Sequence, residues 1–171
     1  ANPYGSPSLE ELCAGKKDIV IISSDHTRPV PSRVTMPILL HHIHSAAPEA
    51  RVRILVATGM HRPSTHEELV NKYGEEIVAN EEIVMHVATV DSMMKKNGTL
   101  PSGGECIINK IAADCDLLLA EGFIEPHFFA GFSGSRKSVL PGIASYKTIM
   151  YNHNGQFVND SHSRAGNLCH N

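Results

Sequence analysis

The sequence contains no long apolar run, and its first residues do not predict a leader. Its longest purely apolar stretches, residues 19–22 and 117–120 among them, are four residues each, which is too short for a bilayer span. Residues 1–7 hold no basic patch followed by an apolar stretch, so they do not predict a secretory signal. The chain also does not begin with Met, from which we expect it to be part of something longer.

Basic blocks and paired cysteines are absent as well. The chain has 15 Lys and Arg against 18 Asp and Glu, a formal net charge of −3, which argues against a nucleic-acid partner. The four cysteines form no C-x-x-C pair, which argues against a disulfide scaffold or a four-thiolate zinc site. They predict free thiols in a reducing cytoplasm. With 171 residues, 42% of them hydrophobic and 19% charged, the chain is typical of one globular domain.

Short β-branched runs alternate with helical patterns along the chain. Strands are predicted over residues 18–23, 52–57, 82–87 and 116–121, with a weaker one over 105–109. Helices are predicted over residues 32–47, 65–73 and 145–153, and both Ser64-x-x-Glu67 and Thr65-x-x-Glu68 fit a capping box. Pro37 is expected to kink the first of these helices or to move its start. The alternation predicts a single α/β domain over residues 1–171, a Rossmann-like three-layer sandwich with a mostly parallel sheet and helices on both faces.

The loops that follow three of these strands collect charged and histidine side chains. Ligands of open α/β sheets bind beyond the carboxyl ends of the strands, where the three loops are expected to converge. The loops span residues 24–31, 58–64 and 122–142, and they carry Asp25 and Arg28, His61, and His127 and Lys137, respectively. Three such loops at one edge of a sheet predict an active site.

Each of these residues also has an ordinary explanation. Asp25 and Arg28 could form a surface ion pair of little energetic value, or Arg28 could hold a substrate carboxylate by two parallel hydrogen bonds. Taken singly, His61 and His127 could be ordinary loop residues. Together, on facing loops, they could serve as two proton-transfer groups near neutral pH.

The glycine-rich segment 131–138 invites a phosphate-binding interpretation. A Walker loop needs a second glycine where this sequence has Arg136, so an ATPase or kinase is not supported. Backbone amides and hydroxyls could still be offered to a phosphate by Gly131, Ser133, Gly134 and Ser135. Arg136 and Lys137 would add positive charge, or Lys137 could act as a nucleophile. The alternative is a flexible glycine loop.

Four motifs in these regions resemble the amino-terminal domain of the nickel-dependent lactate racemase family. They are Asp-His-Thr-Arg-Pro at 25–29, Thr-Gly-Met-His-Arg-Pro at 58–63, the long segment 122–142, and Tyr-Asn-His at 151–153. Their order and spacing agree with the family from about residue 1 to about residue 155. The resemblance implies racemisation of lactate, or epimerisation of a related 2-hydroxy acid.

The resemblance also implies a cofactor, the nickel-pincer nucleotide. This pyridinium-derived mononucleotide would be joined to Lys137 as a thioamide, with the glycine segment beside it, and His153 would be a nickel ligand. In the family mechanism, hydride passes from the α-carbon of lactate to the cofactor and returns to either face. A histidine removes the hydroxyl proton in the same step.

The family's other roles also carry over by motif position. His61 and His127 resemble the acid/base pair, and Arg28 resembles the residue that holds the substrate carboxylate, with Asp25 beside it. Family members continue into a second domain that closes over the cleft. We therefore expect these residues to be a fragment of the amino-terminal catalytic domain of a larger two-domain cytoplasmic enzyme, with no membrane partner.

Two alternatives belong to other functional classes. A non-catalytic nickel- or nucleotide-binding module would need Lys137 and His153 but not both His61 and His127, so their joint presence argues against it. A histidine-based metal hydrolase is the other alternative. The loops contain no H-x-x-x-H or H-x-x-x-E pair, which weakens that hypothesis.

Overall fold

A computed structural model describes residues 3–169 of the chain. Its strands, in chain order, are β1 (Asp18–Ser24), β2 (Arg51–Ala57), β3 (Glu82–Met85), β4 (Met94–Thr99), β5 (Glu105–Asn109), β6 (Leu117–Ala120), β7 (Pro126–His127) and β8 (Gly131–Phe132). Its α-helices are α1 (Leu9–Cys13), α2 (Ser32–Ala46), α3 (His66–Tyr73), α4 (Glu75–Asn80), α5 (Lys110–Asp114), α6 (Tyr146–Asn152) and α7 (Gly155–Val158).

Four of the strands form one parallel sheet in the order β3-β2-β1-β6. Strand β1 lies between β2 and β6, with Ile21 opposite both Ile54 and Leu119. The chain adds strands on one side of β1 as far as β3 and then returns to its other side with β6. This reversal of order makes a crevice at the carboxyl ends of β1 and β6. The predicted parallel sheet is confirmed.

Each face of the sheet packs against its own apolar cluster. On one face, Met36 and Ile43 of α2 pack with Ile21 of β1, and helices α1, α3 and α4 contribute to the same cluster. On the other face, Val20 packs with Ala112 of α5. Because both faces are covered, successive residues of β1 are buried rather than alternating with exposed ones. The three-layer α/β arrangement is therefore confirmed.

The two helices that follow β1 and β2 begin close to where the sequence predicts. Helix α2 runs from Ser32 to Ala46 with Pro37 inside it, so the proline neither ends the helix nor moves its start. Helix α3 has a capping box in which the Thr65 hydroxyl accepts from the Glu68 amide and the Glu68 carboxylate accepts from the Thr65 amide. The competing box that starts at Ser64 is wrong, since the Ser64 hydroxyl pairs with a histidine in the neighbouring loop.

Residues 105–109 form a strand, but it lies outside the parallel sheet. Strand β5 pairs antiparallel with β4 in a separate hairpin, which the sequence does not predict. Strand β4 has the sequence Met-Lys-Lys-Asn-Gly-Thr and is mostly exposed, so it gives no apolar alternation. The loop after β6 contains another small antiparallel pair, β7 with β8. Within residues 3–169, no helix is both long and apolar enough to cross a membrane.

A fully buried histidine joins the parallel sheet to the rest of the domain. His86 follows β3, and its Nε2 lies 3.0 Å from the carbonyl oxygen of Ala144 while its Nδ1 lies 3.2 Å from Nδ2 of Asn109. A carbonyl can only accept, so Nε2 carries the proton and Nδ1 accepts from the Asn109 amide. Burial lowers the pKa of His86 below its ordinary value, because a charged imidazolium would lose its hydration there.

This lowered pKa predicts a loss of stability in mild acid. The unfolded chain takes up the proton near pH 6.5 while the folded chain resists it, so the free energy of unfolding should fall as pH drops below about 6.5. Urea denaturation at about pH 7.5 and about pH 5.5 measures the loss. His86→Gln can keep both hydrogen bonds without titrating, and the loss should be smaller in this variant.

The matched control is His41→Gln, which changes an exposed histidine on α2. It should keep the pH dependence of the unmodified protein. An equal loss of stability in His86→Gln and in the unmodified protein would show that His86 is not the group responsible.

Candidate active site

A cavity of about 330 Å³ lies beyond the carboxyl ends of β1, β2 and β6. The loops that follow these three strands form most of its wall, and helix α6 and the residue after it close one side. The residues singled out in the sequence that line it are Asp25, Arg28, His61, His127, Ser133, Gly134, Lys137 and His153. The parallel strand order brings the three loops together, because it puts all their starting points at one edge of the sheet.

Part of the predicted glycine segment does not belong to this wall. Gly131 is buried in β8, where its carbonyl accepts from the amide of Gly166 at 2.8 Å, so its backbone is engaged by the later part of the chain. Arg136 is exposed and does not line the cavity. The side chain of Ser135 lies outside the part of the chain that the structure describes. The segment therefore contributes Ser133, Gly134, Lys137 and Ser138 to the wall.

His61 is held by a buried carboxylate. Its Nδ1 lies 2.6 Å from Oδ2 of Asp25, a residue that is only 2% exposed. Oδ1 of Asp25 accepts from the Thr27 amide at 3.0 Å and from the Thr27 hydroxyl at 2.6 Å. Burial alone would raise the pKa of Asp25, but the hydrogen bonds from Thr27 and His61 outweigh burial and lower it. An ionised carboxylate only accepts, so Nδ1 of His61 carries the proton and Nε2 is left as an acceptor.

Other hydrogen bonds join the first loop to the second and orient Arg28. The Ser64 hydroxyl lies 2.9 Å from Nδ1 of His26, which ties the two loops together at a second point. Nη1 of Arg28 donates to the Thr27 hydroxyl at 3.0 Å. The guanidinium has five N–H donors, so others remain for a ligand in the cavity that Arg28 lines.

His127 is anchored by backbone amides. Its Nδ1 accepts from the amide of Ala130 at 3.2 Å and, at 3.5 Å, from that of Phe129. Nδ1 is therefore the unprotonated atom of the neutral ring, and Nε2 carries the proton. The pKa of His127 lies below its ordinary value because the ring is partly buried and because Lys137 and Arg28 are positively charged neighbours.

His153 follows helix α6 and is anchored in a third way. Its Nδ1 lies 3.2 Å from the carbonyl oxygen of Ile149, one turn earlier, so Nδ1 is the donor and Nε2 keeps its lone pair. Phe129 lies between the two anchored rings, with its ring centroid 4.8 Å from that of His127 and 5.3 Å from that of His153. Burial is the main reason that the pKa of His153 is lowered. All three histidines thus engage the protein through Nδ1.

Lys137 is a partly buried amine in the cavity wall. Its pKa is lowered, first by burial and then by the positive charge of Arg28. A lysine amine becomes nucleophilic when it is neutral, so both effects favour covalent chemistry at Nζ. Lys137 lies in the 3₁₀ turn Ser135–Ser138, which directly follows Gly134.

Two glycines allow the backbone to pack closely around the cavity. A Cβ on Gly134 would lie 2.5 Å from the carbonyl oxygen of Phe123, and the residue has a φ of +76°. A Cβ on Gly142 would lie 2.2 Å from the carbonyl oxygen of Ser138. Side chains at these two positions would push the wall segments apart, so glycine is required at both.

The sequence analysis does not identify two residues of the site, Thr27 and Glu121. Thr27 supplies two of the hydrogen bonds to Asp25, but a threonine in a polar loop carries no signal of its own. Glu121 lines the cavity directly after β6 and accepts hydrogen bonds from three hydroxyl groups. The sequence could have pointed to Glu121 because it lies at the carboxyl end of a predicted strand, the edge at which ligands bind.

The fold and the site together define an open parallel α/β domain with a cleft of titratable side chains at its switch point. A family model described as the lactate racemase N-terminal domain matches residues 1–166. The chain therefore belongs to the lactate racemase N-terminal domain family.

Comparison with curated proteins gives two relatives described as lactate racemase. The one from Lactiplantibacillus plantarum is 74% identical over 170 residues, covering 99% of this chain and 40% of that protein. The one from Thermoanaerobacterium thermosaccharolyticum is 55% identical over 170 residues, with the same coverage of 99% and 40%. The chain thus spans about two fifths of the length of these relatives.

Comparison with solved structures also gives a protein described as lactate racemase. The lactate racemase apoprotein from Thermoanaerobacterium thermosaccharolyticum matches with a TM-score of 0.96 and 55% identity, over 98% of this chain and 40% of that one. A crystal structure of a protein from Thermotoga maritima matches with a TM-score of 0.69 and 23% identity, over 86% of this chain and 41% of that one. The second match supports the fold alone.

The electrostatic coupling between Arg28 and Lys137 can be tested directly. Arg28→Gln removes a positive charge, so the pKa of Lys137 should rise towards its ordinary value but stay below it, because burial remains the larger cause. The pH at which Lys137 reacts with an amine-modifying reagent, followed by peptide mass spectrometry, should move upward. Arg62→Gln is the control, since Arg62 pairs with Glu68 and does not line the cavity. An unchanged reaction profile in Arg28→Gln would contradict the coupling.

Proposed function

We propose that this chain provides the proton-transfer and cofactor-holding part of a lactate racemase. The observation that carries the proposal is the common anchoring of three histidines at one cavity: each engages the protein through Nδ1 and leaves Nε2 for a ligand. Membership of the lactate racemase N-terminal domain family supports the same activity, as do two relatives described as lactate racemase.

Arg28 would bind the carboxylate of the 2-hydroxy acid. Its guanidinium lines the cavity and is held in place by its hydrogen bond to Thr27. A guanidinium and a carboxylate can form two parallel charge-assisted hydrogen bonds, which fix the orientation of the acid as well as its position.

His61 and His127 would exchange the hydroxyl proton, each for one enantiomer of lactate. Nε2 of His61 is an acceptor in the neutral ring because Asp25 holds the proton on Nδ1. The carboxylate would also stabilise the imidazolium that forms when Nε2 takes a proton. In His127 the backbone amides occupy Nδ1, so Nε2 of the neutral ring already carries a proton and would donate a hydrogen bond to the substrate oxygen. To take the hydroxyl proton of the second enantiomer at Nε2, the His127 ring would first have to move its proton to Nδ1 and give up these hydrogen bonds.

Lys137 and His153 fit the nickel-pincer nucleotide that the family resemblance implies. Lys137 offers an amine whose lowered pKa favours the neutral form needed for a covalent bond, and His153 offers an Nε2 lone pair as a nickel ligand. The hydrogen bond from Nδ1 to Ile149 would fix the ring orientation, as is usual for metal-binding histidines. When bound, the cofactor would supply an acceptor for the α-hydrogen of the substrate as hydride.

The two alternative functions are supported less well. A purely binding module has no need of His61 anchored on a buried carboxylate at the same cavity as His127. A hydrolase that holds its metal through side chains needs three or more ligands together. Residues 3–169 contain no such group of histidine, cysteine, aspartate or glutamate residues.

Exposed apolar side chains beside the cavity support a partner domain that covers it. Met60 lines the cavity and is 49% exposed, while Phe128, next to His127, is 77% exposed. The family resemblance implies a second domain that closes over this cleft. Closure would exclude water from the reacting groups and strengthen their electrostatic interactions.

Removing either histidine should impair racemisation. In cofactor-loaded enzyme, His61→Ala and His127→Ala should each lower the rate of lactate racemisation by on the order of 100-fold or more, since each removes a proton-transfer group. Polarimetry or chiral chromatography measures the rate, and circular dichroism checks that the fold is kept. His41→Ala, on the exposed side of α2, is the control and should be fully active. Near-normal turnover in either site variant would remove that residue from the mechanism.

Lys137 and His153 should hold the cofactor by different bonds. In protein made in a host that synthesises the cofactor, intact-mass analysis should show a covalent adduct that is lost in Lys137→Ala and kept in Lys17→Ala. Metal analysis should show that His153→Ala loses nickel while the adduct on Lys137 remains. An active enzyme with an unmodified Lys137 would be incompatible with the proposal.

A further inference from the structure

Glu121 binds both ends of the loop that carries Asp25 and Arg28. Its Oε2 accepts from the hydroxyl of Ser23 at 2.7 Å and from the hydroxyl of Ser32 at 2.9 Å. Both serines are fully buried. They lie at the end of β1 and at the start of α2, so they bracket loop 24–31. One carboxylate oxygen therefore fixes the span between the two points at which this loop leaves the core.

The same carboxylate is joined to the first turn of α2. Its Oε1 accepts from the hydroxyl of Thr35. The N-cap residue of α2 is Pro31, which makes no side-chain capping hydrogen bond. A negative charge near the N-terminus of a fifteen-residue helix interacts favourably with the helix dipole. Glu121 thus contacts the first turn of α2 through the hydroxyl groups of Ser32 and Thr35, although it lies 89 residues after Ser32 in the sequence.

Glu121 belongs to the site and has charged neighbours there. Glu121 itself lines the cavity, and Asp25 lies in the loop that it brackets. The ammonium group of Lys72, from α3, interacts electrostatically with both carboxylates and lies 3.3 Å from the Ser24 hydroxyl. Lys72 thereby offsets part of the negative charge that the two acids bring to this edge of the sheet.

We propose that Glu121 is a positioning residue that sets the place of Asp25 and Arg28 through its hydrogen bonds to Ser23 and Ser32. It touches neither the substrate nor the cofactor in this role. Without it, the two ends of the loop can separate, which displaces the Arg28 guanidinium and lengthens the hydrogen bond between Asp25 and His61. The expected change in the KM for lactate rests on the proposed function. The expected change in the hydrogen bond between Asp25 and His61 rests on the loop geometry alone.

Three variants separate positioning from other roles. Glu121→Gln keeps the shape of the side chain but loses its charge and one acceptor oxygen, and Glu121→Ala loses both acceptors. The double variant Ser23→Ala/Ser32→Ala keeps the carboxylate and removes only its contacts at the loop ends. The control is Asp116→Asn: Asp116 is a carboxylate near the other end of β6, and it accepts from the amides of Lys17 and Asp18.

Two readouts apply to each variant. The first is the low-field proton resonance of Nδ1–H in His61, which reports the short hydrogen bond to Asp25 without any need for cofactor. It should weaken or disappear in Glu121→Ala and in the double serine variant, and persist in Asp116→Asn. The second is the KM for lactate in cofactor-loaded enzyme. It should rise about tenfold in the same variants, because the displaced Arg28 guanidinium no longer binds the substrate carboxylate.

A combined variant completes the test. If Glu121 acts through the two serines, adding Glu121→Ala to the double serine variant should cause little further change in either readout, because interactions within one network are not additive. A double serine variant with normal resonance and normal KM, beside an impaired Glu121→Ala, would overturn the proposal and assign Glu121 a direct role. Loss of stability alone in all variants would overturn it as well. An unmodified enzyme without racemase activity would refute the proposed function, while the resonance would still decide the positioning role.

Discussion

The parallel pairing of β1 with both β2 and β6 is the constraint on which the site depends. Parallel strands require crossover connections, so the loops that leave their carboxyl ends start side by side at one edge. The chain reverses its strand order at β1, and this opens the crevice that the loops surround. Asp25, His61 and His127 are far apart in sequence and meet at one cavity only because of this order.

Within the cavity, the protein controls its ionisable groups by anchoring one atom of each. A carboxylate, two amides and a carbonyl engage Nδ1 of His61, His127 and His153, respectively, and in each ring the anchor decides which nitrogen carries the proton. Burial and the Arg28 charge then favour the neutral form of Lys137. The same loop supplies the Arg28 charge and the Asp25 anchor, so the position of loop 24–31 affects His61, His127 and Lys137. By holding the ends of this loop, the contacts of Glu121 therefore affect the active-site groups as well as the stability of the loop.

The sequence predicts much of this arrangement, and its failures have physical causes. Strands β1, β2 and β6 and helices α2 and α3 are predicted because their apolar spacing and caps are local properties. Strand β4 is missed because its exposed, lysine-containing sequence gains its pairing only from β5. Arg136 is adjacent to Lys137 yet lies outside the cavity wall, since a 3₁₀ turn directs neighbouring side chains differently. Hydrogen bonds between distant residues, such as Glu121 to Ser23, leave no pattern in the chain.

A crystal structure of cofactor-loaded protein with lactate bound tests the central claim most directly. The account predicts density continuous with Nζ of Lys137, the lactate carboxylate within about 3 Å of the Arg28 guanidinium, and its hydroxyl within hydrogen-bond reach of Nε2 of His61 or His127. Lactate bound elsewhere on the domain, with Arg28 and both histidines free of contact to it, would contradict the account.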